Sequence, residues 1–121
     1  TILYLPGESE ADMLETIEYL NRQDIQGIKL QLLHVLKDTD LYDYYLEHPF
    51  FLPTMEEYLE FLGTCLCCLR PDIVIHRLTG DGPKSLLAAP LWTGNKRLVL
   101  NQMEKSFRER DIWQGKHYHA L

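Results

Sequence analysis

No apolar run in these 121 residues approaches the roughly 18 needed to span a bilayer, so a transmembrane helix is excluded. No basic leader or small-residue cleavage site surrounds Thr1-Ile2-Leu3-Tyr4-Leu5, so a signal peptide is not supported. The chain also lacks an initiator Met and starts inside an apolar run, as expected of a piece of a longer protein. Cysteine is scarce: only Cys65, Cys67 and Cys68, all within one short segment. An odd, clustered set is a poor disulfide framework and points to a reducing, cytoplasmic compartment. Cys65 and Cys68 form a lone C-x-x-C with no second ligand pair at suitable spacing. It reads either as half of a metal or redox site or, more strongly, as small thiols filling a packed helix face. No metal ligands are assigned. Thr79-Gly80-Asp81-Gly82-Pro83-Lys84 lacks the Gly-Lys-Ser/Thr ending of a P-loop. A nucleophile signature for a hydrolase, an internal repeat and a low-complexity segment are all missing as well.

What is present is enough for a core. Hydrophobic residues make up 45% and aromatics 11%, which excludes a disordered chain. The net charge of -6 is unevenly spread. Residues 1–63 hold 13 acids and 3 bases, a balance of -10, whereas residues 64–121 hold 5 acids and 9 bases, a balance of +4. Two halves of opposite sign argue for internal or partner complementarity rather than general nucleic-acid binding.

The pattern along the chain alternates strand and helix. Ile2 to Leu5 reads as the end of a buried strand, closed by Pro6-Gly7. Ser9 and Asp12 open a helix over residues 9–22, with Met13, Leu14, Ile17 and Leu20 on one face. A second strand runs over residues 28–36. Ile28, Leu30 and Leu32 point one way, and Lys29, Gln31 and Leu33 the other. Polar Lys29 and Gln31 suit either a barrel interior with a wet end or an ordinary half-exposed strand. Residues 38–53 form a long connection with a short helix at 41–46, the kind of segment that often serves as a lid or substrate loop. Its three Tyr could equally cover the core. Thr54 and Glu57 form a capping box for the clearest helix, which Pro71 terminates. Ile73-Val74-Ile75 is a short strand that carries His76 and Arg77 out at its end. The last helix covers residues 95–110, with Val99, Met103 and Phe107 on one face. This order is that of an α/β fold with parallel strands, too few here for a closed sheet.

Leu5-Pro6-Gly7-Glu8-Ser9 before an amphipathic helix resembles the GLPGET segment of radical-SAM enzymes. Residues 27–39 resemble the next strand and its outgoing loop. Residues 75–84, Ala89-Pro90-Leu91-Trp92, Asn95-Lys96, Arg110-Asp111 and Gln114-Gly115-Lys116 resemble the C-terminal region of one bacterial branch related to the elongator catalytic subunit. The resemblance covers nearly the whole chain. It implies the C-terminal part of a partial (βα)6 TIM barrel, with residues 1–78 as the last βα units and 79–121 as a helical C-terminal extension. It also implies an iron–sulfur oxidoreductase that uses S-adenosylmethionine and a [4Fe-4S] cluster to generate a 5′-deoxyadenosyl radical. That cluster needs a C-x3-C-x2-C loop, which this chain does not contain, so the fragment is expected to be inactive alone. Tyr4 stands where the family usually has Gly, and Gln31 where a His is expected.

Strand C-terminal ends carry the chemistry in such barrels. Leu5, Pro6, Gly7 and Glu8 are therefore the expected contact with S-adenosylmethionine, although Pro6-Gly7 also suits a plain tight turn. His34, His76, Arg77 and Asp81 are the catalytic candidates, with Thr39 beside His34. A His-Arg strand end before a Gly-Asp-Gly turn could hold an anion or place an acid–base pair; a structural Asp81–Arg77 pair is the competing reading. Lys84, Lys96 and Lys116 could serve an anionic substrate such as RNA, which makes a non-catalytic substrate- or RNA-recognition module the alternative. Membrane association is not expected. A cut barrel exposes strand edges, so the isolated chain is expected to form a homodimer by edge pairing or exchange of an element.

Overall fold

The computed structural model describes residues 1–79 and 84–119. Among these residues six short strands and four α-helices follow one another as β1 (Ile2–Leu3), α1 (Glu10–Asn21), β2 (Gly27–Lys29), β3 (Gln31–Leu32), β4 (Val35–Leu36), α2 (Asp40–Glu47), α3 (Met55–Cys68), β5 (Val74–Arg77), β6 (Leu87–Ala89) and α4 (Lys96–Glu109), with short 3-10 turns at Lys84–Leu86 and Leu91–Gly94. The fold is α/β, and none of the described helices is long and apolar enough to cross a membrane.

The second strand differs from its expected form. Residues 27–36 do not make one ladder but three short ones with different partners. β2 pairs in parallel with β5, and β3 pairs in parallel with β1. One extended segment thus has β5 on one side and β1 on the other. The ladder hydrogen bonds Leu30 N to Arg77 O (2.8 Å) and Leu33 N to Leu3 O (3.0 Å) continue the two edges. After Leu33 the chain leaves the sheet, and β4 pairs antiparallel with β6. The apolar run Val35-Leu36 looks continuous in sequence, but its hydrogen bonds go to a segment some fifty residues later. Periodicity alone cannot show that.

Both expected capping boxes are formed. Asp12 N donates to Ser9 Oγ (3.1 Å) and Ser9 N to Asp12 Oδ2 (3.0 Å) at the start of α1. The Thr54–Glu57 pair repeats the arrangement at α3, at 3.2 and 2.9 Å. Each satisfies two of the N–H groups that a helix start leaves unpaired.

The core lies between the sheet and the helices. Leu3, Ile28, Leu30 and Leu32 from the strands meet Met13 and Ile17 of α1, Tyr58, Leu62 and Cys65 of α3, and Val99 and Met103 of α4. The opposite face of the sheet is open: Ile2 is 44% and Val74 57% exposed, and Lys29 and His76 are also exposed. The alternation expected at residues 28–32 is therefore real, with the helices covering one face only.

Arg70 and the C-terminal segment lock the far end of the helices. Arg70 Nη1 donates to Asn21 O (2.8 Å) and Gln23 O (3.1 Å), and Nη2 to Ile25 O (2.9 Å), which satisfies carbonyls beyond the end of α1. Gly115 N and His117 N donate to Leu66 O and Cys67 O at 2.9 and 2.8 Å, doing the same for α3.

Candidate functional site

Parallel pairing brings the C-terminal ends of β1, β3 and β5 to one edge of the sheet. At the end of β1, Tyr4 has φ 66° and Gly7 φ 79°, so the chain turns sharply into α1. Glu8 N closes this turn on Leu5 O at 3.0 Å. Leu5, Pro6 and Gly7 are exposed, and Glu8 is half-buried. A concavity of about 580 Å³ lies elsewhere, between α3 and α4; the one at this turn measures about 530 Å³. Tyr4, Leu5, Gly7, Glu8, Ser9, Glu10, Met13, Phe50 and Phe51 line it. Glu8 Oε1 is buried there without a hydrogen-bond partner among the described residues. His34, His76 and Arg77 are not part of its wall.

Tyr4 leads into this turn with a backbone of the kind that Gly adopts most readily. A φ of 66° is left-handed, which a side chain tolerates only at a cost of about 1–2 kcal/mol. The Tyr4 ring offsets this by packing into the core. It lies 5.7 Å from Phe61, 6.0 Å from Phe51 and 6.3 Å from Tyr58, and is 5% exposed. Burial pushes the Tyr4 phenol well above its usual range, and the nearby Glu10 adds to the effect. Tyr4 therefore forms part of the wall of the concavity while its backbone makes the turn.

His34 sits half-buried immediately after β3, where the chain turns towards β4. Thr39 is a helix cap: its Oγ1 accepts from Tyr42 N (3.2 Å) and donates to Leu36 O (2.6 Å). His76 is exposed on the open face of β5 and lies over Gly27. A Cβ at Gly27 would run into the imidazole, with Cδ2 at 2.8 Å. The backbone oxygen of Arg77 accepts from Leu30, and its side chain is half-buried. Asp81 lies outside the described residues.

One pocket was not foreseen from the sequence. A cavity of about 60 Å³ is lined by Leu32, Tyr58, Thr79, Trp92, Thr93, Lys96, Val99 and Leu100. It lies where β3 ends and α4 begins. Tyr58 OH donates to Leu78 O (2.8 Å), and Trp92 Nε1 to Pro53 O (3.0 Å), which fixes both rings in its wall. The Thr79 turn and Lys96 were visible in the sequence, but nothing local linked them to Tyr58 on α3. Of the other two lysines, Lys84 is exposed, and Lys116 Nζ is engaged with Asp111 O at 2.8 Å and its carboxylate at 3.6 Å.

The cysteines do not suit an iron–sulfur cluster. Cys65 and Cys67 are buried and Cys68 half-buried, and all three are free. Burial, with lesser contributions from Cys68 and Glu10, pushes the Cys65 thiol up to about 12. The ligand and nucleophile form is the thiolate, which this environment disfavours. No group of three or more metal-capable side chains occurs among the described residues. At the β1 turn Leu5, Gly7 and Glu8 line one concavity, and Glu8 carries a buried carboxylate oxygen with no hydrogen-bond partner among the described residues.

Residues 25–109 match the radical SAM C-terminal domain. The chain belongs to that family. This radical SAM C-terminal domain is 35% identical over 117 residues to the uncharacterized protein YtqA of Bacillus subtilis, a match covering 97% of the chain and 36% of YtqA. It is 30% identical over 115 residues to the uncharacterized protein MJ0486 of Methanocaldococcus jannaschii, covering 94% of the chain and 36% of that protein. Protein YhcC of Escherichia coli is 26% identical over 111 residues, with 92% and 36% covered. The domain thus spans about a third of the length of these curated relatives. Its fold is also that of the archaeal Methanocaldococcus infernus Elp3 with an N-terminal deletion, at a TM-score of 0.65 and 20% identity over 87% of this chain and 26% of Elp3.

Proposed function

We propose that this radical SAM domain is the C-terminal part of a cytoplasmic iron–sulfur oxidoreductase-like enzyme. Residues 1–78 supply the last βα units of a partial (βα)6 barrel, and 79–121 the C-terminal extension. When bound, S-adenosylmethionine and a [4Fe-4S] cluster supply a radical that abstracts hydrogen from substrate. In this reading Leu5 to Glu8 form one wall of the S-adenosylmethionine pocket, where the backbone meets the nucleoside and Glu8 accepts a hydrogen bond. His34, His76 and Arg77, at the neighbouring strand ends, are the residues that meet substrate, with Asp81 as the fourth candidate. The cluster is held by residues outside this chain. The observation that carries the reading is the common edge formed by the ends of β1, β3 and β5 in a chain of this family.

The test is anaerobic reconstitution with iron and sulfide, applied to the 121-residue chain and to a full-length parent. The short chain is expected to take up no stoichiometric cluster, and the parent to take up one. In the reconstituted parent, Glu8→Gln is expected to weaken S-adenosylmethionine binding about tenfold, the scale of one charge-assisted hydrogen bond. A cluster on the short chain, or unchanged cosubstrate binding in the variant, would sink these assignments. A second reading is a recognition module for an anionic substrate such as RNA, for which Lys84 and Arg97 are exposed cations in the basic half.

A further inference from the structure

The connection between α2 and α3 treats its two phenylalanines differently. Phe50 is half-buried, with its ring 4.9 Å from Tyr45, edge to face, and 6.2 Å from Tyr44. Further on, Pro53 O accepts from Trp92 Nε1 at 3.0 Å, which ties the connection down a second time. Between these anchors Phe51 is 63% exposed, with its ring 6.0 Å from that of Tyr4. A single exposed apolar side chain is ordinary on a protein surface. The position of Phe51 is not, because it lines the concavity of about 530 Å³ at the β1 turn together with Leu5, Gly7 and Glu8.

Two unlike groups meet in that wall. Glu8 Oε1 is buried without a hydrogen-bond partner among the described residues, a costly state unless a donor reaches it. Phe51 offers an aromatic ring, the group on which planar bases stack. They come from distant segments, and Tyr4 joins them: it lies beside Phe51 and leads into the turn that carries Glu8. The space is of the size that small-molecule sites have. Charge narrows the ligand further. The described residues around the concavity include Glu8 and Glu10 and no Lys, Arg or His. A phosphate would be repelled there, whereas a neutral or cationic nucleoside with hydroxyl and amino donors would not.

We propose that Phe51 is a binding residue for the cosubstrate: its ring stacks on the nucleoside base while Glu8 accepts a hydrogen bond from the same molecule. The inference rests on the assignment of Leu5 to Glu8 to the S-adenosylmethionine pocket. It adds to that pocket a specificity-determining side chain from the connection between α2 and α3. The ligand class is a nucleoside without phosphate, and a sulfonium suits the two carboxylates.

Isothermal titration of S-adenosylmethionine into the anaerobically reconstituted full-length parent tests this, with Phe51→Ala, Phe51→Trp and Phe51→Leu. Phe51 is exposed, so the variants are expected to fold, and circular dichroism and iron content check that they do. Phe51→Ala is expected to weaken binding about tenfold, within the range for removing one base–aromatic stack. Phe51→Trp keeps an aromatic face and should bind within about threefold of the unaltered protein. Phe51→Leu keeps only apolar area and should bind as weakly as Phe51→Ala. Three results overturn the proposal. Unchanged binding in Phe51→Ala with weaker binding in Glu8→Gln would remove Phe51 and leave the pocket assignment standing. Unchanged binding in both would remove the pocket as well. Full binding by Phe51→Leu would reduce the ring to apolar cover.

Discussion

At single positions, two residues show how tightly the strand ends are built. Tyr4 keeps a glycine-like backbone because its ring contacts offset the strain. Gly27 is needed for the opposite reason, since its missing side chain leaves room for the His76 imidazole. Gly27→Ala is expected to cost less than about 1 kcal/mol, because the atoms in the way are the far end of an exposed side chain that can turn aside. In the Gly27→Ala, His76→Ala double variant most of that loss should return, because the collision is with the imidazole. Urea unfolding of the four members of the cycle measures this. An additive double variant would show that His76 is not what Gly27 accommodates. The sequence placed His76 at a strand end but could not show what lay beneath it. Parallel pairing of β2 with β5 decides that.

Among the elements, α3 was the most legible. Its capping box, apolar stripe and terminating proline are all local, and the helix forms with those boundaries. Cys65, Cys67 and Cys68 were ambiguous because a C-x-x-C spacing puts both thiols on adjacent positions of a helix whatever surrounds them. Burial decides between the readings, and it has a pH consequence. The folded Cys65 thiol resists ionisation up to about 12, whereas an ordinary thiol titrates near 9.0. Below pH 9 both states are protonated and the folded state keeps its full stability. Above it the unfolded chain releases a proton that the folded chain holds, so stability falls as pH rises from about 9 towards 12. One pH unit into that window, the loss from this group is about 1.4 kcal/mol. Urea midpoints at pH 8 and pH 10 should show the drop, and Cys65→Ala should reduce it, with Cys68, Tyr4 and Tyr58, which burial also pushes up, keeping the remainder. A Cys65→Ala profile with the same slope would remove Cys65 as its source. The strand over residues 28–36 was the least legible element, because an apolar run does not record where its hydrogen bonds will go.

For the whole molecule, the acidic and basic halves need a finer description than their balances of -10 and +4. Part of the basic excess is structural. Arg70 is occupied by carbonyls of the α1 end, Arg108 pairs with Glu104 at 2.8 Å, and Lys116 is tied to Asp111. Three of the nine basic residues in that half are therefore engaged within the domain. If RNA is the substrate class, binding by this chain should be weak and shallow in its salt dependence. A tRNA gel shift at about 50 mM salt should vanish near 200 mM, with a slope matching only a few phosphate contacts. No shift at the lower salt would end the RNA reading for this chain.

The sequence by itself determined the helices, their caps, the alternation of strand faces and the family. Each of these depends on residues a few positions apart or on an ordered set of short motifs. Tertiary structure alone decided that one strand segment divides among three partners, that the cysteines are core thiols and that Tyr58, Trp92 and Lys96 meet around one cavity. It also left one face of the sheet open and Tyr44 and Leu46 of α2 exposed. These outcomes depend on contacts between distant segments, where the sequence offers several apolar or polar partners of equal quality and only the packed chain selects among them.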